Sequence, residues 1–369
     1  MAKARITETF LTPEERALRP VVMATEEIPN VNRRGFVVES RGTAKPKVHV
    51  SIEKSRQTRH GTQWRAEIGF DGNNVRLLRL GQEKGRIPVT DLEKLAGRKR
   101  IDPCPAFRPN WLNLRYHPQI MPRYRRLRPG EALARPDVLS GMLSLYWGEL
   151  VTLNDWPWCT IGKLLIARGT DLENPTSVAS GVLVGPNLML TASHAAPWDS
   201  DEWWMRFVPA YRDAVEPFGS SYVRRFYGVR HDDGDSDYVI CELYEPLGQM
   251  CGWMGSWGSS NDEFYENRGW DSVGYPVNFF GGQRPAVEWN VTPEEADEDD
   301  REVRISFSSP FTSPGWSGGP LFGWVNEGFR VVGISRGTHS PVFGSDEAIF
   351  TGGLHMVDLI RYGLANWPV

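Results

Sequence analysis

The stretch Ser313-Pro314-Gly315-Trp316-Ser317-Gly318-Gly319-Pro320-Leu321-Phe322 presents one hydroxyl in a glycine-flanked turn that runs directly into an apolar segment. Glycines let such a turn adopt dihedrals that side chains disfavour and approach a substrate closely. A serine held in this way can attack a carbonyl, and the N–H groups of Gly315 and Ser317 are candidates for binding the developing oxyanion. Because a serine hydroxyl alone is a poor nucleophile, this interpretation requires a base and a carboxylate elsewhere.

His194 is the candidate base. It lies in Leu190-Thr191-Ala192-Ser193-His194-Ala195-Ala196, just past an apolar strand and among small residues that leave its ring room to turn. With an ordinary pKa near ~6.5, an imidazole suits the removal of a hydroxyl proton at neutral pH. For a histidine considered alone, a structural role is the simpler interpretation.

Asp237 is the candidate carboxylate, since it directly precedes the apolar run Tyr238-Val239-Ile240-Cys241. A carboxylate entering a buried strand must find a donor, because an unpaired buried charge is costly. The Nδ1–H group of a histidine is one such donor, and binding it fixes the tautomer that a base needs. The alternatives are three aspartates just before it that a loop could leave solvated: Asp232, Asp233 and Asp235.

In the order His, Asp, Ser, these motifs resemble those of the trypsin-like serine peptidases, the chymotrypsin-fold family. The matching segments are Thr191-Ala192-Ser193-His194-Ala195, Asp237-Tyr238-Val239-Ile240 and Gly315-Trp316-Ser317-Gly318-Gly319-Pro320. The element Gly274-Tyr275-Pro276 is similar to the glutamyl-endopeptidase-like branch of bacteria and fungi. The resemblance covers about residues 151–369, the predicted peptidase domain, and says nothing about the first 150 residues.

The resemblance implies a mainly β fold of two six-stranded antiparallel β-barrels, with the site in the cleft between them and a closing C-terminal helix. His194 would come from the first barrel and Ser317 from the second, while Asp237 orients His194. The implied reaction is hydrolysis of peptide bonds in protein or peptide substrates through an acyl-enzyme, with no metal or organic cofactor. The oxyanion would bind to the N–H groups of Gly315 and Ser317.

The resemblance also implies a substrate-binding pocket, formed by Phe311, Thr312, Ser335, Arg336 and Gly337. Glutamate-preferring relatives have a histidine where this chain has Ser335, so a preference for glutamate does not carry over. Arg336 could attract an acidic side chain, and Phe311 leaves an apolar pocket equally open. Since no Asp or Glu occurs at these positions, we expect a substrate side chain that is not basic.

Trp316 occupies the place where trypsin carries an aspartate that pairs with a new N-terminal amine. An indole cannot form that ion pair, so activation by that route is not expected, and the ring could narrow the cleft. The alternative function is a catalytically inactive trypsin-like module that binds proteins in a cleft shaped by Trp316. Retention of Ser, His and Asp together favours catalysis.

Residues 1–150 form a predicted accessory region or pro-segment. Alternating patterns at 47–52, 64–70 and 75–80 predict a small β unit, and 103–135 is rich in arginine and proline. The region could be a removable pro-segment, a module for a regulatory protein partner or a permanent part of the fold. The segment Arg123–Arg128 is the only basis for nucleic-acid binding, which ranks last.

Beyond Trp156, short apolar runs separated by glycine, proline and asparagine predict an antiparallel barrel or sandwich. Strands are expected at 160–167, 178–184, 188–192, 237–243, 303–307, 329–335 and 348–350. Residues 353–363 have helical spacing, and Gly363 is placed where a helix could stop. The acidic run 294–300 is most simply a solvated loop.

Composition narrows the function classes. A formal net charge of -4 gives no case for nucleic-acid or membrane binding, and no apolar run is long enough for a transmembrane helix. No secretory signal is visible, which favours a cytoplasmic location over secretion. The four cysteines lack zinc-site spacing and are expected to be buried thiols, although Cys241 and Cys251 could form a disulfide.

Overall fold

The computed structural model describes residues 36–39, 47–58, 61–71, 76–88, 91, 94, 104–114, 124–126, 148–150, 153–169, 172, 174–229, 236–299, 301–308, 312–339 and 347–369. Phe311, the three aspartates before Ser236 and most of the arginine-rich stretch lie outside these ranges, and the predictions made on them remain predictions.

The strands within the described residues are named β1 to β21 in chain order. They are β1 Phe36–Glu39, β2 Lys47–Thr58, β3 Gly61–Asp71, β4 Arg76–Arg79, β5 Glu83–Arg86, β6 Tyr124–Arg126, β7 Gly148–Leu150, β8 Ile161–Arg168, β9 Ser177–Leu183, β10 Leu188–Thr191, β11 Trp203–Pro209, β12 Ser221–Gly228, β13 Val239–Leu243, β14 Gly255–Ser256, β15 Trp270–Gly274, β16 Ala286–Val291, β17 Glu295–Asp299, β18 Glu302–Phe307, β19 Pro320–Val325, β20 Gly328–His339 and β21 Glu347–Gly353. Three α-helices lie wholly within the described residues: α1 Leu247–Cys251, α2 Glu263–Glu266 and α3 Leu354–Asn366.

Six strands form a closed antiparallel barrel in the order β11-β8-β9-β10-β13-β12. Pairing of Arg206 with Tyr222 and of Phe207 with Ser221 joins the two ends. Strands β10 and β13 consist of nearly continuous apolar runs, as expected for strands whose residues are all buried. This barrel confirms the prediction for the first half of the 151–369 segment.

The second half is a ten-stranded sheet in the order β17-β18-β21-β20-β19-β15-β16-β7-β6, with β14 parallel to β20. Among the described residues no pairing closes this sheet, so the expected second six-stranded barrel is an open sheet. Strand β16 pairs with β15 on one side and, at Ala286 and Val287, with β7 of the N-terminal region on the other. The mainly β fold class, with a barrel, a second sheet and a C-terminal helix, is confirmed.

Helix α3 follows the second sheet and packs on the first barrel. It continues to Asn366, so the prediction that Gly363 ends it is wrong. A Cβ at Gly363 would lie 3.1 Å from Cγ1 of Ile240, which shows that the glycine lets the helix approach β13 closely. The helix thereby bridges the two halves of the fold.

The acidic run is also not a loop, because Glu295–Asp299 form β17 and pair with β18. Two carboxylates of neighbouring residues accept its outward N–H groups: Glu266 from Ala296 and Asp262 from Glu298. The main chain therefore gains partners on both sides, which outweighs the weak strand propensity of acidic residues.

The N-terminal strands lie in four places. Strands β2 and β3 form a two-stranded antiparallel sheet, as their alternation predicts. Strand β4 pairs with β1, so the three predicted strands do not form one sheet. Strand β5 adds to the barrel in parallel with β12, while β6 and β7 extend the second sheet. The domain boundary at residue 150 stays a prediction, although strands from before it pair with both sheets.

All four cysteines are free and buried, as expected. None of the helices in the described ranges has the length and apolar character needed to cross a membrane.

Candidate active site

The structure brings His194, Asp237 and Ser317 together where the barrel meets the second sheet. His194 lies in a short 3-10 turn after β10, Asp237 lies two residues before β13, and Ser317 lies three residues before β19. Nδ1 of His194 is 2.6 Å from Oδ2 of Asp237, and Nε2 is 2.9 Å from Oγ of Ser317. We call these three side chains the His–Asp–Ser cluster.

The protonation of the histidine follows from its partners. Asp237 is buried, its side chain is 2% exposed, and its ionised carboxylate can only accept hydrogen bonds. Nδ1 of His194 therefore donates, which leaves Nε2 as the acceptor for the Ser317 hydroxyl. The second carboxylate oxygen accepts the main-chain N–H of His194 at 2.9 Å, so Asp237 fixes both the ring and its backbone.

Accessibility differs across the cluster. The His194 side chain is 33% exposed and Ser317 is half-buried, so both can be reached from solvent. Asp237 lies behind them, shielded from water. A buried carboxylate, an accessible imidazole and an accessible hydroxyl in this order can transfer a proton from the hydroxyl to Nε2.

The turn around Ser317 leaves two N–H groups available. The carbonyl of Pro314 accepts from Val277 N–H at 2.8 Å, and the carbonyl of Trp316 accepts from Gly319 N–H at 2.7 Å. In a trans peptide the N–H points opposite to the carbonyl, so the N–H groups of Gly315 and Ser317 point away from these contacts. Neither donates a hydrogen bond to another described residue. The predicted oxyanion donors are thus free to bind a ligand atom.

Ser180 is a positioning residue that the sequence analysis did not single out. Its hydroxyl donates to the Gly315 carbonyl at 2.8 Å and accepts from Tyr275 N–H at 2.9 Å. Its main-chain N–H donates to the Ser317 carbonyl at 2.8 Å. One barrel residue therefore holds both ends of the Gly315–Ser317 segment. Its place in the strand expected at 178–184 was the available signal, but nothing in that pattern indicated a partner.

Trp316 does not narrow the cleft, a possibility that the sequence left open. The indole is fully buried in the second sheet, where Nε1 donates to Oγ of Ser272 at 3.0 Å. A Cβ at Gly274 would lie 2.4 Å from Cγ of Trp316, so this glycine makes room for the ring. Burial of a large apolar ring next to a hydroxyl acceptor explains why the side chain turns inward.

The predicted pocket residues are only partly brought together. Thr312 and Thr338 are bonded to each other, since the Thr338 hydroxyl donates to the Thr312 carbonyl at 2.8 Å. Ser335 is fully buried, its hydroxyl has no partner among the described residues, and its carbonyl accepts from Gly318 N–H. Arg336 is exposed, and Gly337 has a φ of 130°. Phe311 lies outside the described residues.

The loop after His194 is held by side chains. The Ser193 hydroxyl donates to the Val229 carbonyl at 2.6 Å, and Nε1 of Trp198 donates to the Ser193 carbonyl at 2.9 Å. The ring of Trp198 packs edge-on against Phe226 of β12, at 4.9 Å between centroids. The backbone at His194 is therefore fixed from both sides.

No group of three or more His, Cys, Asp or Glu side chains suited to a metal ion occurs within the described ranges.

Comparisons with known proteins gave structural matches alone. No protein-family model matches the chain, and no curated protein sequence does either. A structure of a Glu endopeptidase is similar at 17% identity and a TM-score of 0.47, covering 60% of this chain and 97% of its own. The protease Anisep from Arthrobacter nicotinovorans is similar at 22% identity and a TM-score of 0.38, covering 53% and 89%.

A third similar structure is the thermostable serine protease AL20 from an extremophilic microorganism, at 18% identity and a TM-score of 0.41, covering 56% of this chain and 98% of its own. At such identities the likeness concerns the fold alone. The closed barrel, the second sheet and the C-terminal helix of the chain itself confirm the mainly β architecture expected from the sequence.

Proposed function

We propose that this protein is a serine endopeptidase that hydrolyses peptide bonds through the His–Asp–Ser cluster. One observation carries the proposal: the continuous hydrogen-bond chain from Asp237 through His194 to Ser317, beside two N–H groups without acceptors. A nucleophile, a base, an orienting carboxylate and an oxyanion site are the four parts that acyl transfer requires.

The reaction follows from these positions. Oγ of Ser317 attacks the scissile carbonyl carbon while its proton passes to Nε2 of His194, and the carbonyl oxygen becomes an oxyanion bound by Gly315 and Ser317 N–H. His194 then gives the proton to the leaving amine, the C–N bond breaks, and an acyl-enzyme remains. Water, deprotonated by His194, attacks the ester and regenerates Ser317.

The rival proposal of an inactive binding module depended on a cleft shaped by Trp316. Because the indole is buried in the second sheet, that premise is lost. An intact hydrogen-bond chain has no role in a module that only binds.

The proposal extends to specificity and control. The described pocket residues carry no carboxylate, which supports cleavage after side chains that are not basic. A regulatory role for residues 1–150, including a protein partner, belongs to the same proposal. Its support is that strands from this region pair with both halves of the fold.

The test is digestion of a peptide library with purified full-length protein, followed by mapping of the cleaved bonds by mass spectrometry. We expect cleavage that is lost in Ser317→Ala, with few products after Lys or Arg. Ser260→Ala is the matched control, since it removes an exposed serine hydroxyl outside the cluster. Cleavage that persists in Ser317→Ala would contradict the mechanism, and dominant cleavage after Lys or Arg would contradict the specificity alone.

A further inference from the structure

Strand β5 is an addition to the six-stranded barrel that comes from the N-terminal region. Residues Glu83–Arg86 pair in parallel with Arg225–Gly228 of β12. Strand β11 pairs with β12 only at Ser221 and Tyr222, so β5 covers the part of the β12 edge that β11 leaves open. Covering a barrel edge removes unpaired main-chain groups from solvent.

The backbone around β5 is closely fitted to the barrel. Main-chain N–H groups of Gly81, Gln82 and Ile87 donate to the carbonyls of Trp203, Arg224 and Gly228. A Cβ at Gly81 would lie 2.0 Å from the Trp203 ring, and one at Gly85 would lie 2.3 Å from the Tyr227 ring. Side chains larger than glycine would have to displace these rings, so the segment fits this surface specifically.

Lys84 connects β5 to the loop that follows His194. It lies opposite Phe226 in the register, and its amine donates to the carbonyls of Trp198 at 2.6 Å and of Ser200 at 2.7 Å. An ammonium group has three donors on one atom and can hold two carbonyls at once. Charge-assisted bonds of this kind are about twice as strong as neutral ones.

The contact continues to the histidine. Trp198, whose carbonyl Lys84 holds, donates through Nε1 to the carbonyl of Ser193, the residue before His194. Lys84 is therefore linked to the main chain next to His194 by two hydrogen bonds, one on each side of Trp198.

We propose that residues 80–88 are a permanent part of the barrel and that Lys84 is a positioning residue for His194. The catalytic effect of Lys84 rests on the proposed function, because it acts through the candidate base His194. Lys84 also gives a role to the N-terminal region, whose removal by cleavage after residue 88 would release the loop of residues 193–200. The segment therefore supports the site instead of obstructing it.

The test compares full-length wild type with Lys84→Met, which keeps the aliphatic stem and removes the amine, and with Lys84→Arg, which keeps a charged donor. In Lys84→Met we expect kcat for peptide hydrolysis to fall on the order of 10-fold with KM little changed, because misplacement of a base affects the chemical step. Lys84→Arg should recover most of the loss. Amide hydrogen exchange over residues 193–200 should rise in Lys84→Met while exchange in β8 and β13 does not.

Lys94→Met is the matched control, since Lys94 is also in the N-terminal region but is exposed and pairs only with Asp91 within the described residues. It should leave kcat and exchange unchanged. Wild-type exchange over residues 193–200 in folded Lys84→Met would overturn the proposal, even if the protein hydrolyses nothing. A loss of kcat equal in Lys84→Met and Lys84→Arg, with exchange raised throughout the barrel, would also overturn it in favour of a general structural role.

Discussion

The histidine side and the serine side of the site are held in place by different kinds of contact. His194 is fixed by side chains: the carboxylate of Asp237, the hydroxyl of Ser193 and the indole of Trp198. The Ser317 turn is fixed chiefly by main-chain bonds, including Gly318 N–H to the Ser335 carbonyl at 2.9 Å. On the histidine side, removal of a functional group should therefore reduce activity. On the serine side, addition of atoms should reduce the stability of the turn.

The two sides also differ in the room they leave. Around the Ser317 turn, Gly315 and Gly318 have φ values of 96° and 81°. A Cβ at Gly318 would lie 2.2 Å from Oγ1 of Thr191 and 2.3 Å from the Ser180 carbonyl oxygen. The glycines predicted for close backbone approach thus also fit the turn against the first barrel.

The largest loss of activity is expected from Asp237→Asn, which changes the hydrogen bonding of His194. An amide at this position can donate to Nδ1 of His194, which stabilises the tautomer whose Nε2 carries the proton and cannot act as a base. We expect kcat to fall by about 10⁴-fold, with little change in fold. Steady-state hydrolysis of a peptide cleaved by wild type, with circular dichroism, measures both.

Glu242→Gln is the control for removal of a buried carboxylate from the same barrel, since Glu242 pairs with Arg225 away from the cluster. It should leave kcat within about twofold of wild type. Equal losses in Asp237→Asn and Glu242→Gln would mean that barrel stability, rather than the tautomer of His194, determines activity.

Gly318→Ala is expected to destabilise the Ser317 turn, because its methyl group would overlap with atoms of the barrel. The new methyl group would meet Thr191 and Ser180 and would sit at a strained φ, so the free energy of unfolding should fall by about 3 kcal/mol or more. Urea unfolding measures this loss.

Gly219→Ala separates strain from overlap, because Gly219 has a φ of 70° but no atom within 4 Å of a Cβ. It should cost only about 1–2 kcal/mol. If both variants lose the same free energy of unfolding, backbone strain alone explains the need for glycine at position 318. The close packing of this position against the barrel would then not contribute.

A smaller difference between the two halves is expected in how their stability depends on pH. Burial lowers the pKa of Lys163 in the barrel to about 8 and raises the pKa of Asp271 in the second sheet to about 8. Below pH 8 a protonated Lys163 destabilises the fold, and this cost disappears as pH rises toward its ordinary value of 10.5. Asp271 costs nothing below its ordinary value of 3.8, and its cost grows as pH rises to about 8.

Lys163→Met should therefore stabilise the protein at pH 7, and its advantage should shrink between pH 8 and 10.5. Asp271→Asn should gain its advantage between pH 4 and 8, each effect being on the order of 2 kcal/mol at its maximum. Unfolding curves at pH 5, 7.5 and 10 measure both differences. Parallel curves for wild type and either variant would contradict the assignment for that residue.

The His–Asp–Ser grouping and most barrel strands could be predicted from sequence, because apolar runs and the three motifs are local patterns. Strand β5 could not, since Glu83-Lys84-Gly85-Arg86 has no strand propensity and pairs only because β12 leaves an edge open. The acidic β17 was missed for the same reason. Main-chain pairing with a distant strand decided both structures.

The inward turn of Trp316 and the fit of Gly363 against Ile240 were also missed. Each depends on the space that a residue distant in sequence leaves: Gly274 for the indole and β13 for the helix. Sequence spacing indicates which residues approach a turn, but it does not show on which side a large ring finds room.

Catalysis through the His–Asp–Ser cluster requires that Ser317 is a nucleophile activated by His194 across the junction of the two halves. The most direct measurement is treatment of the full-length protein with a fluorophosphonate, followed by peptide mass spectrometry to locate the adduct. We predict a single adduct on Oγ of Ser317, absent from His194→Ala. A folded wild-type protein that forms no adduct, or forms one at a different residue, would contradict the claim.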